Sequence, residues 1–523
     1  MRKNLLVTVF ALGVFLHSYA GGLLTNTNQN VTFLRNPARD ASTEIDAAYT
    51  NPAGLAFLKK DGFFISLNNQ SAFQSRILTA DFAPLEGFGG SSVKEYKGNA
   101  KALFVPNIQA AYKTGDWVFS LNGGVVGGGG SLDYKNGLPS FESQVAGNLA
   151  LLSSAANIPS DYTLDTRLKG TQIIFGLQLG ATYKINDNFS AYLGAHASFV
   201  DYKYEGYMRN VQMSGKDNLT NYFTTAAATA QYVATSLQPA VGAGYGDATL
   251  SQLVQFGLLP QAQLEQMASA LGIPSTEVGA YSVNQTIGTF TGLAQQANGA
   301  VAGINQLAAL DMQLNTKQTG FGVAPIIGLD YNWNGLNIGA KYEFKTSLNL
   351  KSKALIPNTT GLPEYNDGAT TPCDIPALLT VGAQYDIIQP LTVSVGYHHF
   401  FDSNAKMADD KQKLINGGIN EYLAGVEYRI NKMFLASCGT QFTRSGVTDG
   451  YQTDTSYSLN SYSIGLGGAI NVTEDIRINL AYFFTNYSDW NISSANYNNT
   501  SLPGKESFGR TNKTLGIGVD FRF

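Results

Sequence analysis

From Leu515 to the terminal Phe523 the chain alternates without a break. Leu515, Ile517, Val519, Phe521 and Phe523 fall on one face, and Gly516, Gly518, Asp520 and Arg522 on the other. A period of two belongs to a strand with one face in an apolar setting and the other in a polar one. The pattern returns at Ile476, Ile478, Leu480, Tyr482 and Phe484, and again between Ile173 and Tyr183, where Gln172, Gly176, Gln178 and Gly180 take the second face. Runs of about 9–11 such residues are long enough to cross a bilayer as tilted strands. A soluble sandwich would show the same period, so turn spacing has to separate the two. Short turns at Thr114–Asp116, Asn186–Asn188, Asn332–Gly335, Ile388–Pro390, Asn431–Lys432 and Thr473–Asp475 alternate with long polar connections. Strands are expected near 61–74, 102–113, 117–129, 169–185, 189–205, 318–331, 336–350, 374–387, 391–401, 419–430, 433–444, 457–471, 476–487 and 512–523. The fold class is therefore all-β, a fourteen-stranded antiparallel transmembrane barrel. Its short turns and both chain ends face the periplasm, and its long loops face outward.

The remaining features agree with that reading. Residues 1–20 carry Arg2 and Lys3, an apolar run from Leu5 to Leu16, and Ser18 and Ala20 spaced for cleavage, which is a signal-peptide pattern. No later segment holds the ~20 consecutive apolar residues that a spanning helix needs, so any crossing is made by strands. Only 14% of residues are charged, with 34 basic against 38 acidic, and that balance argues against a nucleic-acid partner. The 28 tyrosines and 29 phenylalanines argue against disorder. Trp117, Phe189, Tyr204, Tyr331, Trp333, Tyr428, Phe434 and Tyr487 lie near strand ends, as interfacial girdles do. Cys373 and Cys438 do not indicate a disulfide framework.

Residues 21–60 show no alternation but contain two triplets, Asn36-Pro37-Ala38 and Asn51-Pro52-Ala53. Asn and Pro favour compact turns over strand addition, and a periplasmic start leading into a barrel offers the lumen as a home for them. Asn51-Pro52-Ala53-Gly54-Leu55 just ahead of the first strand, a plug-length N-terminus, fourteen strands and a terminal Phe523 together resemble the FadL/TodX family of outer-membrane transporters. The triplet at Leu34-Arg35-Asn36-Pro37-Ala38-Arg39-Asp40 supports the likeness, which covers nearly the whole mature chain. It implies a hatch, residues 21–60, inside a monomeric barrel, residues 61–523, in the outer membrane of a Gram-negative bacterium. It also implies long-chain fatty acids or other hydrophobic small molecules as passengers, release into outer-membrane lipid, and a terminal Phe read by the barrel-assembly machinery. Asn36, Pro37, Asn51, Pro52 and Ala53 are the expected gating residues of the hatch.

In the family a kink of the third strand opens the wall sideways. Here Gly123 and Gly124 are the expected kink, while Gly127 to Gly130 fit either a continued kink or the start of an external loop. The connection 206–317 is rich in Ala and Gln. Pro260 followed by Leu264, Met267, Ala268 and Leu271, then Gly272 and Pro274, reads as an amphipathic helix with start and stop signals. Leu293, Ala297, Ala300, Ile304 and Leu307 suggest a second helix. As an external cap these helices pack on each other or leave a groove for a ligand, with Leu264, Met267 and Leu271 as candidates. Lys341, Glu343 and Lys345 share a face, and with Glu427, Arg429, Arg477, Asp520 and Arg522 they form the expected luminal charges. Most of these should pair with each other or with Arg35, Arg39, Asp40, Glu44 and Asp46 of the hatch. Lys341, Lys345 and Arg477 are the candidates to hold a carboxylate head group. His398 and His399 are adjacent in a strand and point to opposite faces, so they do not share a metal, and His196 reads as polar lining beside Ser198 and Tyr192. No catalytic motif, phosphate loop or cofactor signature is present. The expected function is passive uptake of a hydrophobic solute by cap capture, luminal binding and lateral release. The alternatives are a water-filled porin and a surface interaction protein anchored by a barrel.

Overall fold

The computed structural model describes residues 25–523; the expected signal peptide and the cleavage position after Ala20 lie outside the described residues. Fourteen antiparallel strands form the wall: β1 (Gly62–Asp81), β2 (Val93–Thr114), β3 (Trp117–Tyr134), β4 (Tyr162–Lys184), β5 (Phe189–Met213), β6 (Asp311–Trp333), β7 (Leu336–Glu343), β8 (Leu378–Ile388), β9 (Leu391–Phe400), β10 (Asn420–Arg429), β11 (Phe434–Arg444), β12 (Ser461–Asn471), β13 (Ile476–Tyr487) and β14 (Gly504–Arg522). Three short outer segments, Asn349–Ala354, Thr370–Pro372 and Trp490–Ser494, continue the wall above β7, β8 and β13. The barrel closes by pairing β1 with β14 from Phe64↔Arg522 to Asp81↔Lys505.

Several strands outrun their expected limits on the outer side. β1 extends past residue 74, β2 begins at Val93, β4 at Tyr162 and β14 at Gly504, while β5 runs on to Met213. β7 is the reverse case: it stops at Glu343, so Lys345 lies beyond the strand in which it was expected. The alternation does separate two environments. Leu515 and Ile517 are about half exposed on the outer wall, whereas Asn479 and Gln178 are buried inside. Apolar side chains outside and amides inside a closed cylinder require lipid around it. Aromatic rings gather on the short-turn rim, with Trp117 on Tyr183 at 4.8 Å and Phe189 on Tyr331 at 4.7 Å between centroids. Tyr204 and Tyr487 do not belong to that girdle: Tyr204 is buried within the upper barrel, and Tyr487 stacks on Arg510.

Residues 27–58 are packed inside, while Lys59 and Lys60 are exposed. The packed segment comprises α1 (Val31–Arg35), α2 (Ala47–Thr50) and a 3-10 turn at Pro52–Phe57. Each Asn-Pro step ends a helix, because a residue before proline is held extended and out of the helical region. Asn36 (φ −149°, ψ 98°) ends α1, and Asn51 (φ −155°, ψ 94°) separates α2 from the turn that Pro52 begins. The glycines of the luminal face give this segment room. A Cβ on Gly339 or Gly465 would overlap the carbonyl of Asp40 or Leu34. On Gly425, Gly439 and Gly516 it would meet Asn36, Pro37 and Leu34.

Above the wall the long connection begins only after Met213 and folds as helices, the longest being α3 (Pro139–Ala156, from an earlier loop), α4 (Lys216–Ser236), α5 (Gln261–Leu271) and α6 (Val283–Ala308). α5 starts after Pro260 and stops at Gly272, whose φ of 65° suits a residue without a Cβ. α6 carries the expected Ala297, Ala300, Ile304 and Leu307 face inward.

Candidate functional site

Two different kinds of contact hold the hatch. On the β2–β7 side, wall side chains donate to hatch carbonyls: Gln178 to Ala48 at 3.0 Å, Thr182 to Pro52 at 2.7 Å, Ser190 to Ala53 at 2.7 Å, Asn337 to Ala41 at 2.9 Å and Lys341 to Tyr49 at 2.8 Å. Asn51 donates from Nδ2 to the Leu329 carbonyl at 3.0 Å and to Asp330 at 3.1 Å. On the opposite side the contacts are ionic. Arg35, fully buried, bonds Glu427, which also accepts from Arg39 at 3.3 Å. Arg39 is in turn forked onto Asp46 at 2.7 and 3.0 Å. Arg477 reaches Glu44 at 2.7 Å. His398 sits between hatch Asp40 at 2.9 Å and wall Glu421 at 2.8 Å, while His399 turns the other way to Asn420. Within the wall on the β2–β7 side, His196 of β5 bonds Glu343 of β7 at 2.6 Å.

These contacts change the standing of the head-group candidates. Lys341 is engaged by the Tyr49 carbonyl, Arg477 by Glu44, and Lys345, outside the strand, by Asp374 at 3.0 Å. All three already serve protein partners. Leu264 and Met267 are buried, and Leu271 packs against them, in a core formed with Leu250, Leu253 and Phe290. They hold the cap together and do not line an open groove.

The wall is interrupted at β3. β2 and β3 pair regularly up to Asn107↔Gly124 and resume only at Ala100↔Leu132. On the β4 side the register slips at Val125/Gly127 and again at Gly127/Gly130. The break therefore begins just beyond Gly123 and Gly124, which themselves pair in register, and it runs through the glycine run, which stays within the strand. Gly128 has a φ of 95°, and a Cβ there would overlap the Gln172 carbonyl, so this backbone path requires glycine. The unpaired β3 edge is completed by the first described residues of the hatch. The Asn26 amide donates to the Val126 carbonyl at 2.8 Å, Gln29 Nε2 donates to the Val125 carbonyl at 3.1 Å, and Thr25 bridges Gly127. On the outer side the break opens into a hollow of about 580 Å³ whose lining includes Leu67, Phe104, Ile108, Gly124, Phe175 and Ile517.

α3 was absent from the expected elements. It lies across the upper barrel, its Phe141, Val145, Leu149 and Leu152 joining a core with Leu78, Phe82, Tyr202 and Ile304. Its buried Glu142 accepts from Lys94 at 2.7 Å, Tyr96 at 2.7 Å and Tyr162 at 2.9 Å. Pro139 in its first turn, Glu142 three residues on and Asn157 in the left-handed region at its end are the start and stop signals by which it is legible.

No protein-family model and no curated protein matches the chain. Among solved structures it is similar to a Pseudomonas aeruginosa FadL homologue at 11% identity, covering 96% of this chain and 99% of that one with a TM-score of 0.58. It is also similar to the deltaS2S3 mutant of the TodX monoaromatic hydrocarbon channel at 14% identity, covering 94% and 99% with a TM-score of 0.50. An even-stranded closed barrel with an apolar outer band is the architecture of the Gram-negative outer membrane. With its fourteen strands, filled lumen and broken third strand, this chain has the FadL-type outer-membrane barrel fold.

Proposed function

We propose that the protein carries hydrophobic small molecules, long-chain fatty acids foremost, passively into the outer membrane, with residues 21–60 acting as the hatch. The observation that carries this reading is the break in β3: an apolar hollow opens on its lipid side, and hatch residues complete its edge from within. A solute enters beneath the cap beside α3, passes the upper lumen and leaves through the break without returning to water. Each methylene kept from water favours that route by ~0.8 kcal/mol. Because Asn26 and Gln29 bond the β3 edge directly, displacing the hatch and opening the wall are one movement. Asn51 and Pro52 set the chain path behind it. The filled lumen speaks against a water-filled porin. Planar-bilayer conductance together with fatty-acid uptake into vesicles tests the proposal. Uptake without a large steady current is expected, and a large ohmic current from the intact protein would defeat it.

A further inference from the structure

The outer wall of β4–β6 changes character above the lipid band. Phe175, Phe199 and Phe321 stand side by side on three neighbouring strands, each about half exposed, and the last two rings lie 5.0 Å apart between centroids. Two outward positions higher on β5 is Lys203. It pairs directly with Lys317 of β6, and Lys317 pairs with Lys353 of the outer segment Asn349–Ala354. The row between carries Asp201, Thr319 and Lys351 in the same register. All four lysines point outward, because Ser352, between Lys351 and Lys353, is buried and accepts from buried Gln318 at 2.9 Å inside the barrel. The two rows hold four lysines against one carboxylate. Asp201 takes Lys317 at 2.8 Å, and among the described residues Lys203, Lys351 and Lys353 take part in no ion pair.

Like charges directly opposite on paired strands repel, and with strands ~4.8 Å apart the three lysines of the upper row fall within ~10 Å. Other cations on the same outer face are paired: Arg167 is forked onto Asp133 at 2.8 and 2.9 Å, and Arg209 reaches Asp165 at 3.1 Å. One row above the lysines, Lys169 and Glu205 stand opposite each other. The excess of positive charge is thus confined to one height. Four residues at ~3.3 Å each along a strand tilted ~40° place Lys203 about 10 Å above Phe199. That is the level of head groups over a hydrocarbon boundary, and the apolar lysine stem lets each ammonium reach lower still. In a chain of net charge −4, this patch turns unpaired cations toward the outer leaflet.

We infer that the outer wall of β5, β6 and the segment Asn349–Ala354 holds an anionic phosphorylated lipid of the outer leaflet, its phosphate on the lysine row and its acyl chains over Phe175, Phe199 and Phe321. The site lies across the wall from the lumen and does not depend on the transport reading. The test titrates the full mature chain in detergent with diphosphoryl lipid A and with the same lipid stripped of its phosphates, read by native mass spectrometry. The wild-type chain should hold the diphosphoryl form more tightly. Lys203→Gln/Lys353→Gln should weaken it about thirtyfold, as expected for two lysines at a membrane surface, and leave the stripped lipid within about twofold. Lys203→Arg/Lys353→Arg, which keeps both charges, should retain the affinity. Lys60→Gln/Lys432→Gln removes the same charge from exposed positions at the periplasmic rim and should change neither lipid. Inorganic phosphate should not displace the lipid, because it has no chains to rest on the phenylalanines. Unchanged diphosphoryl affinity in Lys203→Gln/Lys353→Gln, an equal loss in the rim variant, or displacement by inorganic phosphate would overturn the site.

Discussion

The charge shared between hatch and wall at Glu427 sets how firmly the lumen is closed. Glu427 accepts from Arg35 and Arg39 together, and Arg35, with no exposed surface, has the Ser437 hydroxyl at 2.8 Å as its other partner. Its Nε and Nη2 make no hydrogen bond. Glu427→Gln preserves the volume but leaves a buried guanidinium without a counter-charge, a loss of about 3–5 kcal/mol for a pair broken on one side. At ~1.4 kcal/mol per tenfold, the docked-to-displaced ratio of the hatch should fall by a factor of about 10² to 10⁴. Hydrogen–deuterium exchange should report this as lost protection across residues 31–57, with the strands unaffected, and planar bilayers should show frequent openings. The double variant Arg35→Met/Glu427→Gln should regain most of the protection, because Arg39 keeps its fork on Asp46. Unaltered protection in the single variant, or a double variant no better than the single, would refute the reasoning.

Other perturbations probe the same molecule elsewhere. Gly465→Ala pushes a methyl against the Leu34 carbonyl and should weaken hatch docking by about 1–3 kcal/mol, seen as added conductance while heat-modifiable migration of the barrel stays normal. Asn51→Ala removes the bonds to Leu329 and Asp330; fatty-acid uptake should drop while assembly into the outer membrane continues, and full uptake would count against a gating role. In the outer loop after β9, burial raises the Asp402 carboxyl pKa to about 7, against ~3.9 for a free side chain. The folded loop then keeps a proton that the unfolded chain gives up between about pH 4 and 7, so stability declines as pH rises through that window, by up to about 4 kcal/mol. Asp402→Asn should flatten this dependence when thermal midpoints are compared at pH 4.5 and 7.5.

The wall was legible because lipid outside and a filled lumen inside impose a strict period of two; Leu515, Ile517, Asn479 and Gln178 all fall where alternation puts them. Outside the bilayer that contrast fades. Alternation fades after residue 74 of β1 and before residue 512 of β14, so Arg76 and Arg510 read as loop residues although they stand opposite each other in paired strands. α3 is buried on much of its surface, so it shows no clear polar face to set a helical period, and only its end signals mark it in the sequence. The lysine and arginine candidates were visible as charges, but their partners lie up to hundreds of residues away, as with Arg477 and Glu44. Spacing in sequence carries no information about such pairs. Leu264, Met267 and Leu271 were correctly placed on a helix, yet periodicity is the same for a face that packs on protein and one that waits for a ligand.

On the β2–β7 side of the lumen, Gln178, Thr182, Ser190, Asn337 and Lys341 all grip main-chain oxygens of the hatch. A main-chain oxygen is supplied by every amino acid alike. Asn51 apart, in this half of the molecule the stopper is recognised by its route and not by its lettering: exchanges at Ala41, Ala48 or Tyr49 that respect the available space leave those five tethers intact, whereas inserting or deleting a single residue there displaces all the tethers beyond it.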